Sequence, residues 1–112
     1  MSQQSVPVMA LTVTASSAVA AGRFVTVAGG QAGAGVNTLG VARFAAASGE
    51  LLTVDVLGTA IVEAGAAISL GAAVETDANG KAVTLDAGPA VGRVLQAASG
   101  AGSFVEMVLI PN

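Results

Sequence analysis

The 112-residue sequence predicts an all-β protein, a small β-barrel or β-sandwich of about nine short strands. Two observations predict it. Short apolar runs recur at regular intervals between Gly, Ser, Asn and Asp residues, and several of them alternate with period two, the signature of half-buried strands. No stretch offers the clean polar face over two turns that an amphipathic helix needs.

In chain order the runs are 9–14, 24–27, 39–44, 51–57, 59–63, 73–76, 81–85, 90–95 and 104–110. Alternation is plainest where Leu11 and Val13 face Thr12 and Thr14, and where Leu52, Val54 and Val56 face Thr53 and Asp55. Ala-rich stretches at 15–21 and 64–73 favour helix. Gly22, Gly65 and Gly71 interrupt them, so at most a turn or two is expected there. Asp77-Ala78-Asn79-Gly80-Lys81 carries Asn-Gly between two β-like runs, a hairpin signal. The glycine-rich stretch 29–35 reads as an exposed, flexible loop.

Residues 1–8 are polar and broken by Pro7, so they are expected to form an extended arm ahead of a single β domain at 9–112. Within that domain the halves resemble each other. Ala18-Val19 and Gly22 through Val27 return as Ala67-Ile68 and Gly71 through Thr76, an offset of 49. Leu39 to Ala42 returns at Val91 to Val94, Ala46 to Gly49 at Ala97 to Gly100, and Val54 to Leu57 at Val105 to Val108. Four blocks in one order predict two pseudo-symmetric units, about 11–57 and 60–109, each covering the other's apolar face.

Composition narrows the function. Hydrophobic residues make up 54% of the chain and charged residues 10%, against roughly 25% charged in average domains. The apolar content is mostly Ala, Val and Gly. A buried methylene contributes only about 0.8 kcal/mol, so a thin core is expected, one that gains stability from neighbouring copies. A homotrimer is favoured, with a dimer as the second choice. Arg23, Arg43, Lys81 and Arg93 are scattered and the net charge is −3, which excludes the clustered basic footprint of direct nucleic-acid binding. The N-terminus lacks the blocks of a signal peptide, and no apolar stretch nears the ~18 residues of a membrane span. A soluble, cytoplasmically made protein is expected.

The chain has no His and no Cys, so no imidazole- or thiol-based catalysis or metal site is available. The acids Glu50, Asp55, Glu63, Glu75, Asp77, Asp86 and Glu106 read as charges that keep a bare surface soluble. Asp77-x-Asn79-Gly80 begins like a calcium loop, but the later ligands do not follow. Val74-Glu75-Thr76-Asp77…Lys81-Ala82 resembles the modified hairpin of lipoyl carrier domains, except that Ala78-Asn79-Gly80 separates the Asp from the Lys. No enzyme and no cofactor are expected.

One resemblance spans nearly the whole chain. It runs through Ala18 to Val27, Leu39 to Ala42, Gly58 to Gly65, Gly71 to Val83, Val91 to Leu95 and the terminal 104–110 run. In this order and spacing the chain resembles the capsid cement (decoration) proteins of tailed bacteriophages and prophages. The resemblance implies a virion structural protein on the outer surface of the assembled capsid, holding neighbouring major capsid proteins together. Alternatives are a structural β-module of another phage head or tail component, or a lipoyl-like carrier. Ser2, Gln3, Gln4, Ser5, Val6 and Pro7 of the arm are the candidate interaction residues, because an uncharged arm can add backbone hydrogen bonds to a neighbouring sheet edge.

Overall fold

In the computed structural model, which describes residues 3–112, eight strands form one antiparallel sheet that curls into a nearly closed barrel. They are β1 (Pro7–Thr14), β2 (Phe24–Val25), β3 (Gly40–Ala42), β4 (Leu51–Glu63), β5 (Ala73–Thr76), β6 (Ala82–Thr84), β7 (Gly92–Val94) and β8 (Phe104–Leu109). No helix forms among the described residues. The Ala-rich segments contribute isolated bridges instead, Val19 with Ala46 and Ile68 with Ala98.

Eight strands replace the expected nine because runs 51–57 and 59–63 are one 13-residue strand. Gly58 joins them. Its φ of +97° is a conformation that side-chain-bearing residues rarely adopt. The register against β1 shifts beside it, between Pro7 and Ala10, as at a β-bulge. The first part of β4 pairs with β1 and β3, and the second part with β8.

The same pairing pattern recurs on both sides of that bend. In the first half the order is β1, β4, β3, β2; in the second it is β4, β8, β7, β5, with β6 added beyond β5. The backbone bonds repeat as well. Gly22 N–H donates to Ala42 O as Gly71 N–H does to Val94 O, and Ala15 N–H to Glu50 O as Ala64 N–H does to Ser103 O. These bonds make Leu52, not Val54, the counterpart of Val105. The sequence match of the last blocks is thus two residues out of register, a slip that period-two alternation conceals because it leaves each residue on its own face.

The core is Val- and Ala-rich, in two clusters. One holds the second half together with Phe24, Ala32 and Val41, and the other holds Val19, Val25, Leu52 and Val54 of the first half. Only Phe24, Leu52 and Met107 are larger than Val among its fully buried side chains. β1 departs from the alternation reading: it is exposed along its length except for half-buried Val13. Its single pairing, to β4, leaves the outer edge open, and Pro7 sits at the first position of an edge strand, where a missing N–H is tolerated.

The 29–35 segment, expected to be exposed and flexible, is built in. Ala32 is buried and its N–H donates to Phe24 O at 2.9 Å, while Gly35 N–H donates to Thr76 O at 2.9 Å. The Asn-Gly hairpin forms where expected, between β5 and β6, with Gly80 at φ +72°.

A side chain at Gly58 would meet the Val6 carbonyl and adopt a strained backbone. Gly58→Ala is expected to cost about 1–3 kcal/mol, read as a lower midpoint in chemical denaturation with an unchanged slope.

Candidate interaction surface

The charged side chains are structural braces. Arg43 donates through Nε (3.1 Å) and Nη2 (2.5 Å) to Asp55 Oδ1, and this hydrogen bond, with the charge of the carboxylate, raises the guanidinium pKa further. Arg23 Nε lies 2.9 Å from Glu63 Oε1 and Lys81 Nζ 3.3 Å from Glu63 Oε2. The hydrogen bond from Arg23 holds the Glu63 carboxyl below its ordinary value, against a smaller opposing effect of burial and with further help from Lys81.

Asp55, Glu75 and Glu106 are buried, which corrects the reading of the acids as solubilising surface charges. Burying a carboxylate is costly unless hydrogen bonds replace water. Glu75 accepts from the backbone N–H groups of Asp86 and Gly88, pinning the segment after β6. Glu106 is the exception: its Oε1 has no hydrogen-bond partner. Sequence alternation carried no sign of this, because a buried acid on a strand's outer face looks like a solvated one.

The stretches that resemble a calcium loop and a carrier hairpin share one hairpin tip, whose side chains bond within the fold. Asp77 Oδ1 accepts from Asn79 N–H (2.8 Å) and Lys81 N–H (2.9 Å), closing the hairpin tip on itself. Lys81 follows the turn and is engaged with Glu63 rather than held out at an apex. Among the described residues no group of three or more Asp or Glu gathers as a metal site would require.

What the surface does offer is apolar. Val8, Met9 and Leu11 are exposed on β1, and Val27, Phe44, Leu51, Leu70 and Phe104 elsewhere. Met9, Val27, Leu39, Leu57 and Pro111 line a hollow of about 370 Å³ beside β1. Beyond β1 the arm lies along its own domain. Gln3 Nε2 donates to Phe104 O (2.6 Å) and Gln96 Oε1 (3.1 Å). Ser5 Oγ donates to Thr59 O at 3.5 Å, Val6 N–H to Thr59 Oγ1 at 2.8 Å, and Thr59 N–H returns to Val6 O at 3.1 Å. Gln4 is exposed, Pro7 opens β1, and Ser2 lies outside the described residues. Pro7 and Val8, expected in the arm, therefore belong to the first strand.

A sparsely charged barrel with an open apolar edge has the kind of surface that marks interaction sites. The sequence profile of the phage cement proteins matches residues 3–109. The chain belongs to the phage cement protein family. Its fold is similar to the N base of head fibre gp8.5 of bacteriophage phi29, at a TM-score of 0.76 and 26% identity. That similarity covers 91% of this chain and 93% of the other. Among curated proteins there is no match to the sequence. A phage capsid structural role follows for this cement family member, with association to the virion capsid.

The Glu63 network gives a pH signature. A carboxyl with a depressed folded pKa stabilises the fold above its unfolded value and loses that contribution as pH falls through the folded one. The cement protein is expected to lose thermal stability as pH drops below the ordinary 4.5. Glu63→Gln should lower the melting midpoint at neutral pH and flatten this acid-side fall, as read by melts from neutral pH downward.

Proposed function

We propose that the protein is a capsid cement that binds the outer surface of the assembled phage head and stabilises contacts between major capsid proteins. The observation that carries this reading is the family match across residues 3–109. The physical character of the surface supports it. Low charge and exposed apolar strands suit docking on a protein lattice, and suit neither nucleic acid nor a catalytic cleft. The copies act as a homotrimer, with a dimer as the alternative. The protein is made in the host cytoplasm, acts without a cofactor, is not an enzyme, and does not engage a membrane.

A second reading, the base of a head fibre, is favoured by the likeness to the head fibre N base. The two separate by experiment. Cement decorates purified capsids by itself and raises the temperature at which they release their contents. A fibre base binds without that gain. Co-sedimentation with capsids, followed by image reconstruction, reads both.

The arm, Ser2 to Pro7, contributes to attachment in this proposal. Its hydrogen bonds to Thr59, Phe104 and Gln96 are exposed, and such bonds are each worth only about 0.5–1.5 kcal/mol net. They can be exchanged for backbone bonds to a capsid sheet edge, and linked copies add their contacts by multivalency. Deleting residues 1–6 is expected to keep the strand-dominated dichroism and to weaken capsid binding by roughly tenfold or more, a loss of about 1.4 kcal/mol per decade. Unchanged affinity of the folded truncation would reduce the arm to a tail.

A further inference from the structure

Besides the added β6, the two halves differ at the outer edge of their first strand. In the second half the outer edge of β4 is covered: Glu63 N–H donates to Gly22 O at 2.9 Å. Gly22 itself is buried, and a Cβ on it would lie 2.9 Å from the Phe104 ring. The Ala21–Gly22 turn of the first half thus seats on the Glu63–Phe104 pair of the second.

Thr14 and Leu51 are the counterparts of Glu63 and Phe104. They are partners in the β1–β4 register as Glu63 and Phe104 are in the β4–β8 register. The flanking bonds agree, since Ala15 N–H to Glu50 O matches Ala64 N–H to Ser103 O. Because Ala15 points its N–H at the β4 side, strand alternation turns that of Thr14 outward, where no other strand pairs with β1. Leu51 is 75% exposed. Among the described residues the Gly29 backbone approaches the Thr14 carbonyl, while Leu51 stays uncovered.

The cover that matches it is the Leu70–Gly71 turn. Gly71 repeats Gly22 in φ (+82° against +77°) and in its bond to the strand behind it. Yet Gly71 is exposed, a Cβ there would meet nothing within 4 Å, and Leu70 beside it is 70% exposed. Each of these half-interfaces lacks the partner that its counterpart has, and the two are complementary. We infer that a second copy of the chain seats its Leu70–Gly71 turn on Thr14 and Leu51, repeating between copies the contact made within one. The contact joins two different patches, so it is heterologous, and it forms a ring such as a trimer where the rotation between copies closes. It rests on the self-association part of the proposed function and identifies its seam.

The cysteine-free chain allows a direct test without capsids. Leu51→Cys and Leu70→Cys are made as separate proteins, each at an exposed site, and checked for native dichroism. Under mild oxidation the mixture is expected to give a reducible band at twice the chain mass, much stronger than either protein alone gives, because disulfides form only where Cα atoms come within about 7 Å. No such band in the mixture, or equal bands from the separate proteins, overturns the seam. Sedimentation of the unmodified protein separates the two failures. An oligomer that lacks the mixture-specific band means that the copies associate by another surface. A monomer at every concentration refutes the trimer together with the seam and leaves family membership standing.

Discussion

Everything in this fold hangs on β4. It closes the first half and opens the second, so the two halves cannot be separated without breaking one continuous ladder. Bending that ladder takes a backbone conformation that glycine alone adopts at low cost, and Gly58 supplies it. The bend lets Val54 face one cluster and Val62 the other while the strand stays unbroken. Without it, one strand would serve a flat sheet with two exposed faces.

The clusters that β4 joins are made of small side chains, and small side chains contribute little each. Polar braces take up part of the burden. Glu75 fastens the segment after β6 through two backbone N–H groups, and Thr76 ties to the 33–36 segment through Gly33 O and Val36 N–H. Arg43 and Asp55 close over the outer face of β3 and β4. Hydrogen bonds of this kind specify geometry more than they add stability.

Much of this was legible in the sequence. Alternation at Leu52, Val54 and Val56 located the central strand, and Asn79-Gly80 the hairpin. Gly58 was read as a break because glycine marks turns and bulges alike in a sequence. Only the partner strand distinguishes the two. Leu11 and Val13 alternate as well as the core residues do, yet β1 has no layer behind it, and a period reports two faces without saying what covers either. The exposed apolar residues were the least legible part. Leu51 and Leu70 are ordinary apolar residues in a chain full of them, and their exposure emerges only when the counterpart half shows what is missing.

The placement of β4 also dictates how the chain must fold. Beyond its neighbour β3, its partners are the first strand on one side of the bend and the last on the other, Pro7 meeting Gly58 and Val108 meeting Thr59. β3 and β4 form a local hairpin, but the β1 and β8 pairings each wait for a segment distant in sequence, and the loop-closure entropy is lost before those contacts form. On the ribosome, the central strand emerges with its second partner still unmade, leaving apolar backbone edge uncovered until β8 arrives. Folding of this protein is therefore a late, whole-chain event, slow for its size, and truncation from the C-terminal side removes the strand that finishes it.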